Sequence, residues 1–160
     1  MAARLGRRFL DFDEEIERRE GRPVERIFAE RGEAYFRGIE RALTEEMRLV
    51  GAGMVLAPGG GWITVPGVVG LLRPPGIVIY LAARPETALA RMGPLQTGRP
   101  LLAEADPLAA LKRLLDRRGS LYLAAADIVI DTEHLDLQGV TRQVVDRFSL
   151  FGGTPIMPPG

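Results

Sequence analysis

Asp11 and Asp13 in "RRFLDFDEEIE" stand two residues apart at the end of an apolar run. Side chains at i and i+2 of an extended segment point the same way, so both carboxylates can face one cleft. Such a pair can take a proton from a hydroxyl and orient hydrated magnesium. The commoner alternative is that Asp13 is the N-cap of a helix over 13–21, with the following glutamates complementing its dipole. In "FRGIE", Arg37 and Glu40 lie three residues apart on one helical face, where a buried pair can present a guanidinium fork to a carboxylate ligand. An exposed surface pair is the ordinary reading of that spacing. "LAPGGGW" brings Gly59, Gly60 and Gly61 together after an apolar run, either leaving backbone N–H groups open to a ligand's oxygens or making a tight turn. Arg99 in "TGRPLL" occupies a Gly/Pro loop with "DRRGSLY" and its Arg118 beyond. An arginine on a closing loop suits phosphoryl transfer, and a surface arginine without a role is the alternative. His134 reads as an exposed loop residue, and Trp62 as either a pocket wall or packing.

Composition narrows the chemistry. The 160 residues carry 21 basic and 21 acidic side chains, so no general attraction to nucleic acid or an anionic membrane is expected. Cysteine is absent and histidine occurs once, which removes thiolate chemistry and histidine-based metal centres. No apolar run approaches the ~20 residues of a membrane span, and a cytoplasmic protein is expected. All but one of the basic residues are arginine, and the one lysine is Lys112.

The elements that must position these residues follow from periodicity. Strands are expected over 7–12, 53–57, 76–83 and 127–132, the third a β-branched run of the kind buried on both faces of a parallel sheet. Helices are expected over 13–21, 22–32, 32–49, 84–92, 107–119 and 136–148, with a brief helical or turn segment over 65–76 and a loop over 93–106. Alternating strands and helices predict one α/β domain, residues 1–150, with helices on both faces of a parallel sheet and a loose tail over 151–160. Ligands of such folds gather beyond the carboxyl ends of the strands, where Asp11, Asp13 and the three glycines stand.

Taken in order, "FLDFDEEIERREGRPVERIFAERGEAYFRGIE", "GGG", "RPLL", "DPLAAL", "LY" and "ADIVIDT" resemble shikimate kinase from Leu5 to about Phe148. The resemblance implies a P-loop, adenylate-kinase-like α/β fold that transfers the ATP γ-phosphoryl group to the 3-hydroxyl of shikimate, in aromatic amino-acid biosynthesis. It implies that Asp13 orients or deprotonates that hydroxyl, that Asp11 holds Mg2+ through water, and that Arg37 and Arg118 grip the shikimate carboxylate with Glu40 steadying Arg37. Gly59, Gly60 and Gly61 would bind shikimate, Arg99 would reach the phosphates, and Arg91 would lie beside the adenine. The expected partners are ATP, Mg2+ and shikimate, with no nucleic acid or membrane, acting on a monomer.

The sequence departs from that family in three places. Ala57 and Pro58 stand where a Ser or Thr is usual before the glycines, and Ser120 replaces a proline before "LY". No G-x-x-x-x-G-K-[ST] occurs, since the only lysine is Lys112 and an arginine follows it. The expectation is therefore an N-terminally truncated kinase, short by about two dozen residues of strand, loop and helix, that turns over poorly as it stands. A non-catalytic domain that senses a small carboxylate is the alternative class. A gluconate-kinase-like enzyme is a third reading, against which the "DFD", "FR" and "GGG" set argues.

Overall fold

The computed structural model describes residues 1–50, 53–92 and 105–151. A single 3-10 turn, Ala2–Leu5, leads into β1 (Arg8–Asp11), α1 (Phe12–Glu20) and α2 (Val24–Val50). Then come β2 (Met54–Ala57), a second 3-10 turn (Trp62–Thr64), α3 (Val68–Leu72), β3 (Ile79–Ala82), α4 (Pro85–Met92), α5 (Pro107–Ala125), β4 (Ile128–Asp131) and α6 (Leu137–Leu150). Alternation of strand and helix is as the sequence predicts.

The strands pair in parallel as β1 with β2, from Arg8 opposite Met54 to Asp11 opposite Ala57, and as β3 with β4, from Ile79 opposite Ile128 to Ala82 opposite Asp131. One continuous sheet is expected from sequence; among the described residues there are two ladders, because no described strand bridges β2 and β3. Among the described residues each ladder therefore leaves both of its outer edges unpaired. Burial differs accordingly. The β3 run is not closed on both faces: Leu81 is 46% exposed, and Val129 of β4, opposite Tyr80, is 43% exposed.

Two apolar clusters hold the layers. Phe12 and Ile16 of α1 pack with Ile27, Phe36, Leu43 and Met47 of α2, Trp62 and Val68, against Leu10 and Leu56 of the first strand pair. Ile128, Ile130 and Val144 form the second cluster with Ile79 and Val140. Gly32 bends α2 with φ 80° and ψ 169°, so the two predicted helices meet there in one assigned span. Only glycine adopts that backbone readily.

Two helix boundaries differ from expectation, and both matter below. Asp11 rather than Asp13 is the N-cap of α1: its Oδ1 accepts from the N–H groups of Asp13 (2.9 Å) and Glu14 (3.3 Å). The helix starts at Phe12, one residue earlier than the apolar pattern suggests, because Phe12 is itself a fully buried member of the core. Helix α5 does not stop at Gly119 but runs to Ala125, which places Arg118 and Tyr122 one turn apart on one face.

Two stability effects follow. Nothing lies within 4 Å of a Cβ built on Gly32, so Gly32→Ala is purely a backbone change. Its cost is about 1–3 kcal/mol, read as a lower urea midpoint. The second concerns Glu133, which joins the loops after β3 and β4. Hydrogen bonds from the Arg84 guanidinium, then from Thr87, hold its carboxyl down at about 2, against 4.5 ordinarily. A depressed carboxyl contributes stability that is complete above about 4.5 and drains away as pH falls towards 2. Glu133→Gln is expected to flatten that part of the melting temperature against pH curve and to leave its shape above pH 5 unchanged.

Candidate active site

A cleft of about 460 Å³ opens beyond the carboxyl ends of β1, β2 and β3, with residues after each strand and two turns of α5 in its walls. Asp11 and Asp13 come from the β1–α1 junction, Gly59–Gly61 from the loop after β2, and Arg118 and Tyr122 from α5. The i, i+2 pairing of the aspartates survives in outcome, though not by strand alternation. Asp11 ends the strand and caps the helix, and this places Asp13 in the first turn with its carboxylate exposed to the cleft.

The floor is a buried ion pair. Arg37 Nη1 donates to Glu40 Oε2 at 2.5 Å, and its Nη2 donates to Glu33 Oε1 at 2.8 Å. The Glu40 side chain is fully buried and that of Arg37 14% exposed, so this is not the surface pair the spacing ordinarily makes. Among the described residues, Glu40 Oε1 has no hydrogen-bond partner. Burial, with the charges of Asp13 and Glu33, outweighs Arg37 and holds the Glu40 carboxyl above the usual range. Burial acts to lower the Arg37 guanidinium, but the hydrogen bonds and charges of Glu40 and Glu33 overcome it and hold the group above its ordinary value. Arg118 Nη2 lies 3.9 Å from the same Glu33 oxygen, so the two arginines flank one carboxylate.

Polar side chains of the cleft stand close over all three glycines. A Cβ on Gly59 would meet Asp13 Oδ1 at 3.3 Å and Glu40 Oε1 at 3.4 Å; one on Gly60 would meet the Tyr122 hydroxyl at 3.4 Å; one on Gly61 would lie 1.9 Å from Arg37 Nη2. All three carbonyls are occupied. Gly59 O accepts from Trp62 N, Gly61 O from Thr64 N and Oγ1, and Gly60 O from the Tyr122 hydroxyl. None of the three N–H groups donates to an acceptor among the described residues. The loop is thus held by its acceptors and presents its donors, the arrangement that receives ligand oxygens.

Trp62 packs rather than lining the cleft. It is buried, and its Nε1 donates to Thr44 Oγ1, which donates to the Glu40 carbonyl. The glycine loop is thereby pinned to the helix that carries Arg37. Arg91 stands apart from the cleft residues: its guanidinium donates to Thr132 Oγ1 at 2.8 Å and to the carbonyls of Thr132 and Leu135 at 2.6 and 3.2 Å, after β4. His134 is exposed in that turn, as expected. Arg99 falls outside the described residues. Sequence reasoning missed Tyr122, whose only signal was "LY" beyond a glycine taken as a helix end.

The family model described as shikimate kinase matches residues 1–149. The chain belongs to the shikimate kinase family. The shikimate kinase of Thiobacillus denitrificans is 38% identical over 153 residues, 96% of this chain and 82% of that protein. That of Moorella thermoacetica is 41% identical over 146 residues, 90% of this chain and 81% of that one. Among solved structures, a shikimate kinase from Acinetobacter baumannii in complex with shikimate superposes with a TM-score of 0.81 at 35% identity, over 92% of this chain and 80% of that one. The Bacteroides thetaiotaomicron shikimate kinase gives 0.79 at 25% identity, over 94% and 87%. Membership makes this α/β chain a kinase, and a small molecule its acceptor substrate.

The ion pair at the base of this kinase cleft yields a stability test with a definite sign. Arg37→Met leaves the Glu40 carboxylate buried without its cation, at a cost of about 3–5 kcal/mol at neutral pH. A carboxyl raised in the folded state contributes most below its unfolded value of 4.5 and loses that contribution as pH rises through the folded value. The gap in urea midpoint between wild type and Arg37→Met is therefore expected to narrow as pH falls from 7 towards 4.5, and adding Glu40→Gln is expected to close much of it at pH 7.

Proposed function

We infer that this kinase transfers the γ-phosphoryl group of ATP to the 3-hydroxyl of shikimate, giving shikimate 3-phosphate in aromatic amino-acid biosynthesis. The observation that carries the reading is that one small cleft is lined by the carboxylates of Asp11 and Asp13 and by the guanidiniums of Arg37 and Arg118. A substrate bearing both a carboxylate and a ring hydroxyl matches that set of groups. Arg37 and Arg118 take the substrate carboxylate, with Glu40 and Glu33 fixing the Arg37 fork. The free N–H groups of Gly59–Gly61 receive substrate oxygens, Gly60 at the centre.

Asp13 then orients the hydroxyl and accepts its proton as the oxygen attacks the γ-phosphorus and the bond to ADP breaks. Mg2+ binds through one or two carboxylates plus waters and phosphates. Asp11 fits that demand: its Oδ1 caps α1, and no cluster of three or more acidic or histidine ligands exists among the described residues. Its carboxylate would hold the ion through water, and Ala57 adds no hydroxyl there. The ion neutralises phosphate charge when bound. Arg99 is proposed to reach the phosphates from its loop. Arg91, held by the Thr132 hydroxyl and the carbonyls of Thr132, Glu133 and Leu135, is proposed to lay its guanidinium face against the adenine. The enzyme is proposed to act as a cytoplasmic monomer; no described helix is long and apolar enough to cross a membrane.

The test is ADP release in a coupled assay with shikimate. Release that depends on shikimate, and that falls about 10²–10⁴-fold in Asp13→Asn while shikimate binding persists, is the expected outcome. Binding without release would make this a sensing domain, and equal release with gluconate would overturn the substrate.

A further inference from the structure

Of the three carbonyls in the glycine loop, those of Gly59 and Gly61 are held by the 3-10 turn that follows, within the loop's own neighbourhood. The Gly60 carbonyl has a partner from elsewhere in the chain: the Tyr122 hydroxyl, 62 residues on, donates to it at 2.6 Å. A trans peptide is planar, with its C=O and N–H antiparallel. Fixing the Gly60 carbonyl therefore fixes the direction of the Gly61 N–H, one of the three donors left open. Glycine has the softest backbone of any residue, so three in succession keep no preferred peptide orientation unless something outside imposes it.

The Tyr122 ring is itself held by a neighbour. It stacks on Tyr80 of β3, with centroids 5.1 Å apart and planes 21° from parallel. Tyr122 also sits one turn beyond Arg118 on α5, whose side chain is only 12% exposed. Arg118 and the Gly61 donor are consequently referenced to the same helix.

We propose that Tyr122 is a positioning residue for substrate recognition: its hydroxyl clamps the Gly60 carbonyl and thereby aims the Gly61 N–H at an oxygen of the carboxylate-bearing substrate held by Arg37 and Arg118. The proposal rests on the shikimate reading above. It assigns Tyr122 no part in proton transfer. The hydroxyl is the element that matters; the ring is packing.

The test compares two variants that each remove one hydroxyl from the same stacked pair. Tyr122→Phe is expected to weaken shikimate binding, titrated by calorimetry, about three- to tenfold, the effect of one neutral hydrogen bond. Tyr80→Phe is expected to leave that affinity unchanged, and both variants to melt within about 2 °C of wild type. The Gly61 amide cross-peak in a ¹H–¹⁵N spectrum should move in Tyr122→Phe and stay in place in Tyr80→Phe. Unchanged affinity in Tyr122→Phe, or equal weakening in both variants, would overturn the clamp and leave the substrate reading standing. Failure of the wild-type protein to bind shikimate would remove the substrate reading and the clamp with it.

Discussion

Everything in the cleft is arranged around the burial of Glu40. A carboxylate with no exposed surface must be compensated, and here one oxygen is paired to Arg37 while the other lies beneath Gly59 without a hydrogen-bond partner among the described residues. The consequence reaches in two directions. Arg37 is drawn inwards until only the absence of a side chain at residue 61 gives it room, which obliges the glycine loop. The loop in turn is anchored through Trp62 and Thr44 to the carbonyl of that same Glu40. Helix α2, the loop after β2 and the ion pair thus form one mechanical unit, closed by Tyr122 from α5.

The acidic wall has a different logic. Asp11 and Asp13 divide two tasks that the sequence offers to either. Asp11 satisfies the helix N-terminus, and because it does so Asp13 is not consumed as a cap and keeps its carboxylate at the cleft. Proximity of Asp13 to Glu40 pushes the buried carboxyl further towards its protonated form. The acidic side chains of Asp11, Asp13 and Glu40 thus share one cleft with the guanidiniums of Arg37 and Arg118.

Much of this was legible in the sequence, where the information is local. Apolar runs followed by Asp13 or by Gly59–Gly61 located the cleft end of the strands, and the spacing of Arg37 and Glu40 foretold their pairing. What stayed hidden depends on long-range packing. Which aspartate caps α1 is decided by the burial of Phe12, and whether Gly119 ends α5 is decided by what the helix meets beyond it; a glycine is a common stop, yet here the helix continues to Ala125. That misreading concealed Tyr122. Strand pairing is likewise non-local: the periods identified four strands but could not show that they form two separate ladders.

On the proposed reading, Arg37 and Arg118 bind a carboxylate while Asp13 takes a hydroxyl of the same molecule. A crystal structure of this protein with shikimate is the decisive experiment. The shikimate carboxylate is expected within hydrogen-bond distance of Arg37 and Arg118, with the 3-hydroxyl on Asp13 and ring oxygens facing the N–H groups of Gly59–Gly61. A shikimate bound with its carboxylate away from both arginines, or with Asp13 touching no hydroxyl, would contradict it.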